Sequence, residues 1–516
     1  MAIYGHRFAF AVNGGSPLTA SEATPRPADG PPPGDDTAFF GHPRGLLTLF
    51  GTEMWERFSY LGMTAILTLF FTESVADGGL GMSDGTASSV YAAYSTLIYL
   101  VSVGGGWLAD RVLGAYRSVL YGGICIALGH YAMAVPASSM TWIGLGLIIV
   151  GTGLLKPNVS TLVGKLYRSE DERRDAGFAL YYMGINIGSF LGPLVAGWLG
   201  QKIGYHWGFS AAAVGMTFGI VQYVLGRRHL AGRRDGAESA VPAPAMRRTL
   251  RLIAAGAAAV VLLFAALALA GVLTMDLTVD LVTAASVLAP VAYFGFLFRS
   301  PRVTADERGR LRPYLVLFGS SVAFNLVLFQ SYSTMNLLAL NHADTSLFGW
   351  QFPSSWYGSV LGVAEVALAP VVAAVWTRLG HRQPHASNKI AYGVILGGVS
   401  FLIMVPATTD RSGDWMMSGL WLIVSYLVLG LGDILLETTG MSATTKLAPA
   451  AFSSQAMALW FLSIALANGL QAQVVKLYGV LSYPRYFALN GGFVVVVGLA
   501  VIAAGPWLRR TMAPVR

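Results

Sequence analysis

GLLTLFGTEMWERFSYLGMTAILTLFF, residues 45–71, is apolar at both ends and carries Glu53, Glu56 and Arg57 in its middle. Its length suits a helix that crosses a bilayer, which needs about 20 mostly apolar residues. Each charge near the bilayer centre costs about 2.5 to 3.5 kcal/mol on insertion scales, and nothing in a spanning helix requires one. At about 100° per residue, Glu53, Glu56, Arg57 and Tyr60 share one face, while Trp55, Phe58 and Met63 point elsewhere. That face must look into a helix bundle or a water-filled space. Two readings stay open here: a functional charge cluster, or a self-neutralising ion pair that only fixes packing.

The rest of the chain has the same character. Its 516 residues are 54% hydrophobic and only 12% charged, with a mean hydropathy of +0.58, whereas soluble domains carry about 25% charged residues. An all-α polytopic membrane protein is expected. Fourteen segments are long enough to span, at roughly 44–71, 87–109, 117–137, 139–166, 176–200, 204–226, 249–273, 279–299, 312–340, 353–379, 387–408, 414–446, 452–479 and 483–509. With the N-terminus inside, 28 of the 34 Lys and Arg fall on one side. Only Lys202, Arg411, Lys476 and Arg485 lie outside, and Arg57 and Lys156 are embedded. Retention of positive loops in the cytoplasm therefore predicts a multi-pass protein of the cell's plasma (inner) membrane with both termini cytoplasmic. The same asymmetry explains the net charge of +8 without nucleic acid.

Residues 1–40, with PRPADGPPPGDD, are too poor in apolar residues to build a core and read as a disordered cytoplasmic tail lacking a signal peptide. Cys125 is the single cysteine, so neither an intrachain disulfide nor a cysteine metal site is expected. The eight histidines show no ligand spacing, and His381 and His385 read as solvated residues of a basic loop. No metal or cofactor is expected. A phosphate loop of the form GxxxxGK[ST] is absent, which argues against ATP as the energy source.

Six segments precede the basic, Pro/Ala-rich linker at 227–248, and six follow the loop RSPRVTADERGRLR at 299–312. Between them lies a pair with no Lys or Arg from 252 to 298, able to face lipid all round. This 6+2+6 plan places an N-terminal six-helix bundle at 41–226 and a linker plus extra hairpin at 227–311. A C-terminal bundle at 312–510 and a short cytoplasmic tail at 511–516 complete it. Six plus six is the plan of the major facilitator superfamily, whose halves rock about a midplane site. GGWLADRVLGAYR at 105–117 resembles the superfamily's loop motif, and WTRLGHR at 376–382 a degenerate copy.

Three further stretches are specific. GTEMWERFSYLGM (51–63), GTGLLKPNVSTLVGKLY (151–167) and YYMGINIGSFLGPLVAGW (181–198) resemble the first-, fourth- and fifth-helix signatures of the proton-dependent oligopeptide transporter family. With KLAP at 446–449 and ALWFLS at 458–463, the resemblance runs from about Phe39 to the last segment. It implies proton-coupled import of di- and tripeptides by alternating access, with peptide, protons and lipid as partners and a monomer as the working unit. It also implies a proton-responsive cluster of Glu53, Glu56 and Arg57, with Lys156 near the peptide carboxylate. Asn186 and Tyr99 match positions that bond substrate, Tyr60 lies on the charged face, and Trp460 matches a pocket aromatic.

The second half departs from the family. In GLGDILLETTG (430–440) the usual glutamate is Asp433, and Glu437 follows one turn on. Phe329 stands where the seventh segment usually has a glutamate, Thr64 replaces an arginine, Leu61 a tyrosine and Leu361 an asparagine. Losing arginine and glutamate together avoids stranding one buried charge. Glu365, in GVAEVALAPVV, is an added acid that either substitutes for the missing one or snorkels. Asp433, Glu437 and Glu365 thus join the proton-coupling candidates. Two alternatives remain. A transporter of the same fold for a non-peptide organic solute fits the altered cavity positions. GLGD also spells the GxGD tetrapeptide of intramembrane aspartyl proteases, although a four-residue pattern is weak and the partner motif is missing.

Overall fold

The computed structural model describes residues 37–167, 171, 173–230, 243–409, 415–449, 452 and 456–512. Six long helices come first: α1 (Arg44–Thr72), α2 (Asp84–Leu108), α3 (Ala115–Ala134), α4 (Ser138–Lys165), α5 (Arg174–Lys202) and α6 (Tyr205–Leu225). A pair follows, α7 (Ala243–Leu269) and α8 (Met275–Arg299). The remainder comprises α9 (Ala305–Leu328), α10 (Thr334–His342), α11 (Ser359–Leu379), α12 (Ala386–Ala407), α13 (Leu420–Leu447), α14 (Ala456–Val474), α15 (Tyr483–Ala503) and the short α16 (Gly505–Thr511). Among the described residues, twelve helical stretches are long and apolar enough to cross a membrane. Of the long helices, α1, with its charged centre, and α3, with Arg117 and His130, fall outside that set.

Local sequence explains several ends. Ser83 caps α2 by accepting from the Thr86 amide, and Thr304 and Glu307 form a reciprocal capping box at α9. The segment read as continuous over 312–340 is interrupted. A 3₁₀ turn, Phe329–Tyr332, separates α9 from α10, and Ser333 leaves helical geometry at φ −125° and ψ −90°. Carbonyls freed at such a break need new donors. The Tyr426 hydroxyl supplies one to Ser331 O at 2.9 Å, while Gln330 Oε1 accepts from the Tyr486 hydroxyl at 2.5 Å. The 483–509 segment likewise divides, at Ala504, into α15 and α16.

Close helix approach organises each half. Cβ atoms placed on Gly122 of α3 and Gly151 of α4 would each stand 2.6 Å from the other's carbonyl oxygen, so α3 and α4 touch backbone to backbone, as small residues permit in apolar surroundings. Gly398 of α12 and Gly491 of α15 do the same. In the hairpin, α8 is fixed to α14: Thr283 Oγ1 donates to Gly469 O at 3.0 Å, and Lys476 Nζ reaches Asp280 at 3.2 Å and Asp276 at 3.4 Å. Most described side chains of α7 are exposed.

The first six helices meet the later ones most firmly at the end where α1 and α5 terminate. Asn336 Nδ2 donates to Ala65 O (2.7 Å), Thr68 Oγ1 to Tyr332 O (3.2 Å) and Trp356 Nε1 to Leu194 O (3.0 Å). Gln201 bonds Ser354 Oγ (2.9 Å) and the Ser355 amide (3.0 Å). A two-residue hairpin, β1 (Ser346–Leu347) with β2 (Trp350–Gln351), folds over this end, and Trp350 stacks on Trp198 at 5.9 Å.

Candidate functional site

α1 packs against α5 beside its charged face, where Gly188 admits the α1 backbone: a Cβ there would lie 2.2 Å from Met54 O. Trp55 and Phe58 turn away to α6, as the helical spacing predicts, and Phe58 touches Gly215. Arg57 Nε donates to Glu56 Oε2 at 2.5 Å and lies 3.4 Å from Glu53 Oε1. Its guanidinium also stands over the Tyr60 ring at 5.2 Å. All four side chains are buried. The cluster nevertheless leaves Glu53 Oε2, Glu56 Oε1, Arg57 Nη2 and the Tyr60 hydroxyl without partners. Buried polar atoms in native structures are seldom left so, and each calls for an explanation.

Lys156 approaches from α4. Its Nζ donates to the Tyr99 hydroxyl at 2.9 Å and sits 4.3 Å from that ring's centroid. Among the described residues it has no carboxylate partner within ion-pair distance. The side chain is half-buried, and Pro157 follows it inside the helix. Asn186, on α5, is also half-buried and makes no hydrogen bond to another described residue.

The later helices present acids to the same space. Trp460 of α14 is 2% exposed and donates its indole N–H to Glu437 Oε2 at 2.9 Å. Glu437 also lies near enough to Lys156 for their charges to interact. Glu365 of α11 is half-buried and lies close enough to Asp433 of α13 for the two carboxyls to interact electrostatically; Asp433 Oδ1 is buried with no hydrogen-bond partner among the described residues. Phe329 sets its ring edge against Tyr99 at 5.8 Å, and Thr64 is fully buried with its hydroxyl unpartnered.

The sequence reading omitted residues that belong with this set. Tyr181 lies against Glu53, and Tyr332 lies near Glu365 and Asp433. Phe461 flanks Tyr99 at 6.1 Å. Tyr181 opens the quoted fifth-helix stretch, five residues before Asn186, so a signal was present. Tyr332 gave none, because the helix break that turns it inward has no proline or glycine to mark it.

A family model described as PTR2, the POT family, matches residues 116–487. The chain belongs to the POT family. Over 478 residues it is 44% identical to the uncharacterized transporter YclF of Bacillus subtilis (strain 168), covering 92% of this chain and 96% of that protein. It is 37% identical over 492 residues to the di-/tripeptide transporter of Lactococcus lactis subsp. cremoris, covering 93% and 99%. A crystal structure of peptide transporter POT in complex with sulfate matches with a TM-score of 0.88 at 41% identity, covering 92% of this chain and 97% of that one. POT-family proteins are transporters rather than enzymes, and the protease reading of GLGD falls with that assignment. This chain is a multi-pass membrane protein of the same kind.

Proposed function

We propose that this chain is a proton-coupled symporter that imports di- and tripeptides by alternating access. The observation that carries the reading is Lys156, a cation held on Tyr99 with no carboxylate partner among the described residues. An ammonium in a partly dry space calls for an anion, and a peptide's terminal carboxylate supplies one through a charge-assisted hydrogen bond. Tyr60, Tyr99, Asn186 and Trp460 complete the substrate side.

Proton coupling falls to Glu53, Glu56 and Arg57, with Asp433, Glu437 and Glu365 in the second half. When Glu56 gains a proton, Arg57 loses one of two anionic partners and the face it holds loosens; the orphaned oxygens support such exchange. In this reading all fourteen long helices cross the plasma membrane in a 6+2+6 order, and both termini are cytoplasmic. The bundles at 41–226 and 312–510 move about the site with the hairpin of 227–311 alongside, and one copy suffices. The seal at the ends of α1 and α5 then closes the outer side.

A second reading, import of a non-peptide organic solute, is favoured by one observation: Phe329 makes an apolar wall against Tyr99 where the family pattern has an acid. One experiment separates the two. Proteoliposomes with an inward proton gradient are given a labelled dipeptide and competed with peptides, amino acids and other organic solutes. Accumulation of the dipeptide, inhibited by peptides, is expected. Counterflow without any gradient-driven accumulation refutes symport, and inhibition only by non-peptides moves the substrate to the second class.

A further inference from the structure

A groove runs along the outer surface of α1 and α6, away from the transport site. Near the start of α1 it opens into a cavity of about 660 Å³ walled by Arg44, Leu47, Trp55, Phe218, Leu225 and His229 among others. A second hollow of about 360 Å³ shares Trp55 and Phe218 and continues to Trp207. Gly219 of α6 lets Trp55 settle into the helix surface, since a Cβ there would stand 3.0 Å from Trp55 Cβ. The indole then packs on Phe218 at 5.4 Å and forms the floor where the two hollows meet.

The groove's chemistry changes along its length. At one end lie the exposed Arg44 and, in the turn after α6, the half-buried His229. Beyond them the walls are mostly apolar, with Thr48, Gln222 and Ser210 among them. From Arg44 to Trp55 the helix rises about 16 Å at 1.5 Å per residue, which is about half of a 30 Å hydrocarbon core. The surface therefore offers a cationic rim and an apolar trough one leaflet deep, complementary to an anionic head on a single hydrocarbon chain.

We infer that this groove is a binding site for an anionic phospholipid, with the phosphate at Arg44 and His229 and one acyl chain along Leu47, Phe218 and Trp55. The test uses the full chain, purified and stripped of lipid. Binding is followed by native mass spectrometry and thermal unfolding with phosphatidylglycerol, phosphatidylcholine of the same acyl chains, or inorganic phosphate alone. Phosphatidylglycerol should bind about fivefold more tightly than phosphatidylcholine for the Arg44 contact, Arg44→Gln should remove that preference, and inorganic phosphate should have no effect. Equal binding of the two lipids, an unchanged preference in Arg44→Gln, or stabilisation by phosphate alone overturns the proposal. A second measurement follows the chain itself: phosphatidylglycerol brominated on its acyl chain should quench tryptophan fluorescence less in Trp55→Phe than in the unaltered protein. An identical quenched fraction also overturns it.

Discussion

Replacing Lys156 by Gln keeps a long side chain able to bond Tyr99 but removes its charge. If the Lys156 ammonium receives a peptide carboxylate, the lost contact is a hydrogen bond to a charged group, worth about 1.5 to 3 kcal/mol. That converts to about a 10- to 150-fold weaker half-inhibitory concentration for a dipeptide in proteoliposome counterflow. The peptide offers the complementary change, since amidating its C-terminus removes the carboxylate. In the unaltered protein amidation should carry a penalty of the same size; in Lys156→Gln it should carry almost none. The two changes form a double-mutant cycle, and interacting partners give a coupling energy close to either single loss. Tyr99 stays in place in both, 2.9 Å from the lysine in the native protein, so the cycle isolates the charge. Penalties that simply add would show that Lys156 and the substrate carboxylate never meet.

Four further outcomes are expected. Glu56→Gln should keep exchange down a gradient and lose proton-driven accumulation, because the amide fills the same space without carrying a proton; uphill transport in that variant would move the coupling site to Asp433 or Glu437. Glu365→Gln should shift the pH profile of counterflow, since its carboxyl lies near that of Asp433; superimposable profiles would make it a packing residue. Gly188→Val should lower the thermal midpoint or prevent folding, because overpacking costs about 1 to 3 kcal/mol and the new Cβ would meet the Met54 carbonyl; an unchanged midpoint would refute the close α1–α5 contact. Burial, aided by Arg173, lowers the pKa of His42 from the ordinary 6.5, so the unfolded chain takes up that proton first and stability falls as pH drops below 6.5. His42→Gln should flatten this acid-side slope in thermal unfolding, and an identical slope would count against it.

Helix positions were readable because apolar length and charge placement are one-dimensional properties. The ends of α1, α4 and α12 lie within one residue of the sequence reading. The α1 charge face was equally legible, since helical spacing fixes which residues share a side. The break at Phe329–Ser333 was not, because its cause is non-local: hydroxyls of Tyr426 and Tyr486, from two distant helices, bond the residues it frees. For the same reason the proximity of Glu365 to Asp433 was left undecided by the sequence, where register alone placed Glu365 beside a pocket or at the membrane surface. Lys156 stood out in the sequence as a cation inside a spanning segment, but only three dimensions reveal that its Nζ bonds the Tyr99 hydroxyl.

The joint between the two groups of helices is made largely of groups that water can replace. Its five hydrogen bonds use a main-chain amide or carbonyl, or short polar side chains. Opening that end exchanges each for a bond to water, at a net cost of about 0.5 to 1.5 kcal/mol apiece. The hydrogen-bonded part of the joint then stands at the scale of one proton's descent, about 2.3 kcal/mol per 100 mV and 1.4 kcal/mol per pH unit. A seam welded by interlocking backbones, like that of α3 on α4, would lie beyond the reach of such a driving force; a hydrated zipper of this size can part and close again in every turnover.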